Sequence, residues 1–426
     1  MMEKSMMTRA HLLGAALGAL ALSTGSVAMA QSNFDRDRNI SVRERPRPDY
    51  QARGLPMGAF TAYPKLTVGA ELNDNIYASR VNEQEDTVYT VQPELIIQSG
   101  WSRNMLQAFV RGGRRMYVDF PKESSTDYQL GVNGYIDAGS SRILAGADYG
   151  DYTEPRTSGT TPTSAAKPVE YTLGQANIGL VHTFNRLRLS GRVDLQDYDY
   201  KNARTTAGAL VLQDDRDRSI MTYSARAEYA VSPDTAVFVA AAMDDREYDF
   251  QPPAVGLNRN SQGIDLAVGA SFDLTALVRG EFQVGYIDQD YESPVLSDVK
   301  GLSTRGLVEW FPTALDTVTF SASRGVSDAT IGGASGFLAG NYSVQLDHEL
   351  LRNVILTGRA GLGKDEYEGV DRTDDRVSAY LAANYLMNRG LGFTLAYDYL
   401  KQDSSGAARG PAFTVNRITL SSTLQF

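Results

Sequence analysis

The sequence has no cysteine. Structural disulfides and thiolate metal sites are therefore excluded, and an oxidising compartment is permitted without being required. Histidine is scarce. Only His11, His182 and His348 occur, too few and too scattered for a histidine-based metal site or triad. Positive charge is outweighed: 41 Lys and Arg face 51 Asp and Glu, a formal net charge of −10, which argues against general nucleic-acid binding. Beyond the N-terminus no apolar run reaches the roughly 18 residues that a spanning helix needs. No repeat of about 40–50 residues recurs, which counts against a propeller.

What is present begins with an export signal. Lys4 and Arg9 form a basic start, Leu12 to Leu22 an apolar core, and Ala28-Met29-Ala30 a small-x-small cleavage site. Residues 1–30 are expected to be removed as a signal peptide, with the mature chain starting near Gln31. That segment carries Glu3, Lys4 and Arg9, net +1, so the remainder stands at −11. No cysteine follows the site, so lipid anchoring is excluded. Residues 31–63 read as a periplasmic tail, polar as far as Pro56. The tail holds Arg36, Arg38, Arg43, Arg45, Arg47 and Arg53 among four acids and three prolines, without periodicity. It is expected to be extended or disordered and able to touch peptidoglycan or a periplasmic partner.

From Pro64 to the end, apolar residues alternate with polar or small ones over roughly 10–15 residues, and then a turn intervenes. Leu66, Val68, Ala70 and Leu72 oppose Thr67, Gly69, Glu71 and Asn73. Leu187, Leu189, Val193 and Leu195 oppose Arg188, Ser190, Arg192, Asp194 and Gln196. The period is two, that of a strand. Short turns recur at 101–104, 139–141, 185–186, 232–234, 312–314, 351–353 and 387–390. Longer connections alternate with them at 155–168, 201–215, 251–259, 329–336 and 402–411. Short periplasmic turns and longer outer loops suit a transmembrane, antiparallel, up-and-down β-barrel. Residues 64–426 are assigned to this all-β barrel of about 18 strands, give or take two. Gly112-Gly113 suggests a bulge, and the stretch near Asp244 reads as irregular. A soluble sandwich is the alternative, although its strands are usually shorter.

Charges on a lipid face cost about 2–4 kcal/mol for a midplane Arg or Lys, so the charged positions of the strands are placed in the lumen. Arg188, Arg192, Asp194, Arg226, Glu228, Arg279, Glu281, Arg305, Glu309, Arg359 and Arg417 are the candidate lining residues. Both signs occur together, which favours pairing across strands over a single-sign selectivity ring. Inward tyrosines such as Tyr135 and Tyr380 would, if open to solute, form a stacking track for sugar polymers. No catalytic constellation is visible. His182 and His348 read as rim histidines, while the Asp244-Asp245-Arg246-Glu247 run and Asp371, Asp374 and Asp375 read as a charged outer rim. No metal or cofactor is expected.

The last residues alternate up to the terminal aromatic. Ile418, Leu420, Leu424 and Phe426 share a face opposite Arg417, Thr419, Ser421, Thr423 and Gln425. As a soluble edge strand this would invite pairing with other chains. As a closing strand it meets the first strand, lipid and the lumen. The ending resembles the C-terminal assembly signature of bacterial outer-membrane barrels, which implies recognition by the barrel-assembly machinery and contact with outer-membrane lipid and lipopolysaccharide. Tyr63-Pro64 through Asn73-Asp74-Asn75-Ile76-Tyr77-Ala78 resembles the opening of a β-barrel porin family of Gram-negative proteobacteria: a Pro, an alternating strand, and an Asp-Asn-Ile/Val-aromatic motif. The resemblance implies an outer-membrane barrel, sometimes associated with surface-polysaccharide export, and supplies no catalytic residues. Three functions follow as expectations: an aqueous channel for small hydrophilic solutes, a conduit for exopolysaccharide working with a periplasmic partner, or a closed structural barrel or adhesin marked by a plugged lumen or extensive outer loops.

Overall fold

The computed structural model describes residues 40–162, 164–249 and 258–426. The signal-peptide assignment lies outside them. The wall consists of β1 (Phe60–Asn73), β2 (Asp86–Ser99), β3 (Met105–Tyr117), β4 (Ser125–Ala138), β5 (Ser141–Thr153), β6 (Glu170–Phe184), β7 (Leu187–Tyr200), β8 (Arg218–Ser232), β9 (Thr235–Tyr248), β10 (Ser261–Leu274), β11 (Val278–Tyr291), β12 (Val299–Thr313), β13 (Asp316–Asp328), β14 (Gly336–Leu351), β15 (Val354–Tyr367), β16 (Thr373–Leu386), β17 (Leu391–Ser405) and β18 (Phe413–Gln425). The sheet holds 19 strands, of which the three-residue Leu55–Met57 only edges β1, leaving 18 in the wall. Each strand pairs antiparallel with its sequence neighbours. β18 pairs with β1 from Gln425–Lys65 to Arg417–Asn73, and this closes the sheet. Closure satisfies the backbone polar groups that an edge would leave in hydrocarbon.

The alternation sorts side chains to two sides of this wall. On the outside of β4 stand Tyr128, Leu130, Val132 and Ile136, all exposed. On β18 and the residue after it the exposed row is Ile418, Leu420, Leu424 and Phe426. The inside carries buried polar groups instead, among them Glu71, Glu228, Gln289 and Asp347. This is the inside-out arrangement that a lipid-facing barrel requires. Among the described residues no helix is long and apolar enough to cross a membrane.

Three details depart from the sequence reading. First, Gly112-Gly113 is not a bulge. The β2–β3 register runs from Val91–Arg114 to Glu94–Arg111 without a shift, and only the positions around Pro93 drop out. Pro93 has no N–H to give, and a Cβ on Gly112 would sit 3.3 Å from its ring. Glycine thus makes room for a proline rather than absorbing an extra residue. The Asp244 region is regular too, in register with Gly263 and Thr222. Second, an eighth short turn lies at 275–277. Sequence reading missed it because Thr275 and Ala276, at φ +54° and +57°, carry none of the usual turn chemistry. Third, β1 starts at Phe60 rather than Pro64, and residues 40–54 are neither extended nor free of the barrel.

Candidate functional site

The lumen is where the polar residues converge, and most of its charges are paired on the wall. Arg226 lies 2.8 Å from Glu228 and 2.7 Å from Glu281, with Phe238 beneath its guanidinium at 3.5 Å. Arg279 pairs with Glu309 at 2.5 Å. Arg192 pairs with Asp194 at 2.6 Å. Arg188 stands opposite Glu228 in register, and Arg417 opposite Asp398. Arg305 faces Gln283 and Ser323 on its neighbours. Arg359 lies 5.3 Å over the ring of Tyr380. The structure therefore joins seven of the eleven candidates into three wall clusters and leaves Arg188, Arg305, Arg359 and Arg417 spread around the circumference. Further pairs escaped the sequence reading. Glu94 bridges Lys65 and Arg111 at 2.7 Å each, and Glu71 holds Arg115 at 3.0 Å.

The outer mouth is narrowed from within. β12 and β13 stay paired only up to Thr304–Arg324, whereas β13 and β14 continue together to Asp328–Gly336. The tip of the β13–β14 hairpin thus leaves the wall and turns into the lumen. Asp328 reaches Arg218 on β8 at 2.9 Å and Arg246 on β9 at 2.5 Å. Leu338 packs on Ile287 and Val299 of β11 and β12. Arg246 also holds Asp244 at 2.7 Å, so half of the supposed charged outer rim is a neutralised interior cluster. The loops close over this hairpin. Arg216 pairs with Glu154 at 2.7 Å, Arg372 with Asp374 at 2.5 Å, and Thr330 Oγ1 donates to Thr160 O at 3.2 Å. Burial works against the charge of Arg216, but Glu154 and its hydrogen bonds hold the pKa above the ordinary value. Arg372 behaves alike beside Asp374.

Below the loops, tyrosines fill one side of the lumen. Tyr171 stacks on Tyr200 at 5.0 Å and on Tyr152 at 5.5 Å, and Arg216 covers Tyr200 at 3.9 Å. The two tyrosines proposed as a track are each covered by an arginine, although Tyr135 stays half-buried. Arg142 lies 4.5 Å over Tyr135, and Tyr380 is buried beneath Arg359.

The inner mouth carries a belt made of the tail. From β1, residues 54 to 41 run back along the short-turn end. Gly54 N donates to Phe426 O, and Gln425 Nε2 donates to Tyr50 O. Arg389 of the β16–β17 turn donates to Pro48 O at 2.8 Å. Arg47 then donates to Arg352 O at 3.2 Å and pairs with Glu349 at 2.9 Å. Arg45 takes Glu349 at 2.7 Å and also donates to Ala314 O. Arg43 pairs with Asp347 at 3.2 Å, Glu44 with Arg279 at 2.9 Å, and Val42 N donates to Thr317 Oγ1 at 3.0 Å. Arg47 is only 2% exposed. Burial lowers its pKa and Glu349 opposes this. The sequence did carry one signal: arginine at every second position, 43, 45 and 47, facing two inward acids, also two apart, on β14.

The histidines sit in cross-strand pairs at the short-turn end. Ser141 Oγ is 2.6 Å from His182 Nδ1, and Asp316 is 2.8 Å from His348 Nδ1. Neither pair belongs to the lumen clusters. Among the described residues no group of three or more potential ligands could hold a metal ion.

Solved structures similar to this chain include OccAB3 of Acinetobacter baumannii, at 13% identity and TM-score 0.45, and OpdL of Pseudomonas aeruginosa, at 13% and 0.44. In both cases 86% of this chain and 99% of the other are covered. No curated protein matches the sequence. Residues 47–426 match the family described as "Putative beta-barrel porin 2", and the chain accordingly belongs to this family of outer-membrane β-barrel porins.

Proposed function

We propose that the barrel is a passive channel for small hydrophilic solutes. The observation that carries this reading is the inward-turned β13–β14 hairpin within a closed, polar-lined wall. Eighteen strands enclose more space than side chains alone fill, and a hairpin pinned across that space sets a size limit without sealing it. The charges lining the wall are mostly paired, so discrimination between ions is weak. The overall charge of −10 favours cations slightly. The exopolysaccharide alternative finds little support, because Tyr380 is buried under Arg359, Arg142 lies over Tyr135, and Tyr171 and Tyr200 stack on each other. The outward row Ile418, Leu420, Leu424 and Phe426 is the surface we assign to the barrel-assembly machinery, with lipid and lipopolysaccharide taking its place after insertion. The belt arginines Arg43, Arg45 and Arg47 are engaged by the barrel, so a periplasmic partner would be met by other residues of the tail.

Planar-bilayer recordings of the mature protein test the function. Discrete open steps, with conductance suppressed by small neutral polymers and unaffected by large ones, are the expected result. A protein that inserts and stays silent would sink the channel reading.

A further inference from the structure

Five outer loops converge on one polar cavity of about 310 Å³, lined among others by Thr160, Gln213, Asp215, Arg216, Thr330 and Arg372. The size lies at the lower end for small-molecule sites. We infer that this cavity is a recognition station for an uncharged, polyhydroxylated solute of monosaccharide size, placed ahead of the inward hairpin. As a station on a permeation path, it rests on the channel reading above.

The donors come from the guanidinium groups. Arg216 spends three N–H groups on Glu154 and Gln213, and two of its five carry no hydrogen bond among the described residues. Arg372 spends Nε and Nη2 on Asp374, while its Nη1 donates to nothing among the described residues. The acceptors come from a hydroxyl and a carboxylate. Thr160 gives its proton to Glu154 at 2.6 Å, and Thr330 gives its own to Thr160 O. Thr160 Oγ1 already accepts from Ser158 Oγ at 2.6 Å, so the hydroxyl acceptor left for a ligand is Thr330 Oγ1. Asp215 adds a carboxylate, held loosely by Arg259 at 3.7 Å. A hydroxyl both donates and accepts, so a ring of hydroxyls can satisfy the two sets at once.

The charge balance selects against ions. Arg216, Arg259 and Arg372 are matched by Glu154, Asp215 and Asp374. An anion on the spare N–H groups would add a negative charge beside Glu154, Asp215 and Asp374 with no further cation to match it. A cation would meet only Asp215. The cavity is also fixed in shape. Each lining guanidinium lies over a tyrosine ring, Arg216 over Tyr200 and Arg372 over Tyr367 at 4.5 Å, and a preformed site loses less freedom on binding.

The test is saturation-transfer NMR on the detergent-solubilised mature chain, with glucose as probe and glucuronate as the anionic comparison. Saturable transfer to glucose is expected. Thr330→Val and Arg372→Gln should each weaken it about tenfold, the loss of one hydrogen bond, in protein shown by heat-modifiable gel mobility to be folded. No saturable glucose signal, equal binding by both folded variants, or tighter binding of glucuronate would overturn the assignment. Glucose binding in a protein that gives no channel steps would uphold the site and remove only the channel. Channel steps without binding would do the reverse.

Discussion

Asn75 shows how a short motif acts through single atoms. The side chain is 1% exposed. Its Nδ2 donates to Ser79 O at 2.6 Å and to Thr414 O at 2.9 Å, and its Oδ1 accepts from Ser79 N at 3.0 Å. Beside it Asp74 accepts from Asn416 N and Nδ2 at 2.7 and 2.6 Å. Tyr77 meets Phe120 edge-on at 5.6 Å. The Asp-Asn-Ile-Tyr motif therefore fastens the first outer loop to β18, where the barrel closes. Asn75→Ala leaves two half-buried backbone carbonyls and a half-buried N–H without this partner, and should cost about 1–3 kcal/mol, read as a lower urea midpoint. Ala276 bears a different kind of strain. At φ +57° a non-glycine residue is disfavoured by about 1–2 kcal/mol, so Ala276→Gly should raise the same midpoint by about 1 kcal/mol. Asp217, in the loop after β7, has its pKa pushed up to about 6. Burial is the main cause, opposed by the Tyr200 N–H and helped by Asp199, Asp214 and Asp249. The folded pKa lies above the unfolded value of about 3.9. The group's contribution to stability is thus fully present below about pH 4 and is lost as pH rises through 6. Asp217→Asn should raise the melting temperature at pH 7 and leave it unchanged at pH 4.

The belt is the element whose behaviour the sequence hid most. Its arginines read as solvated because nothing local pairs with them; their partners lie some 300 positions away on β14. Glu349 serves both Arg45 and Arg47, so Glu349→Gln leaves a nearly buried Arg47 uncompensated. Breaking such a pair costs about 3–5 kcal/mol, more than a short segment can recover. Trypsin should then cleave at Arg43, Arg45 or Arg47 in the folded variant and spare them in the parent. Unchanged protection would mean that backbone contacts alone hold the belt. The barrel strands, by contrast, were legible almost throughout. Of the short turns only 275–277 went unseen, because Leu274-Thr275-Ala276-Leu277 continues the apolar pattern without a turn former.

For the whole molecule, the hairpin across the lumen decides how open the barrel is. Its tip is held chiefly by Asp328, which meets Arg218 on β8 and Arg246 on β9, four to five strands along the wall. Asp328→Asn removes the charge that both arginines require and should loosen the tip by about 3–5 kcal/mol. Single-channel conductance should rise and the polymer-exclusion size should increase. A variant with wild-type conductance would place the constriction elsewhere, either in the loops above or at the belt below.

The period-two pattern by itself determined the strands, the closed barrel, the lipid-facing rows and the side on which each charge stands, because alternation is a local property and a midplane charge has only one affordable side. It also placed Arg226, Glu228 and Glu281 in the lumen as residues without naming them as partners. Only the tertiary structure decided what closes on what: that the tail lines the inner mouth, that one hairpin leaves the wall, that the tyrosine faces are covered, and that Arg216 and Arg372 share a cavity. Each of these joins residues far apart in the chain. Contacts of that kind depend on curvature, closure and loop path, which no local period encodes.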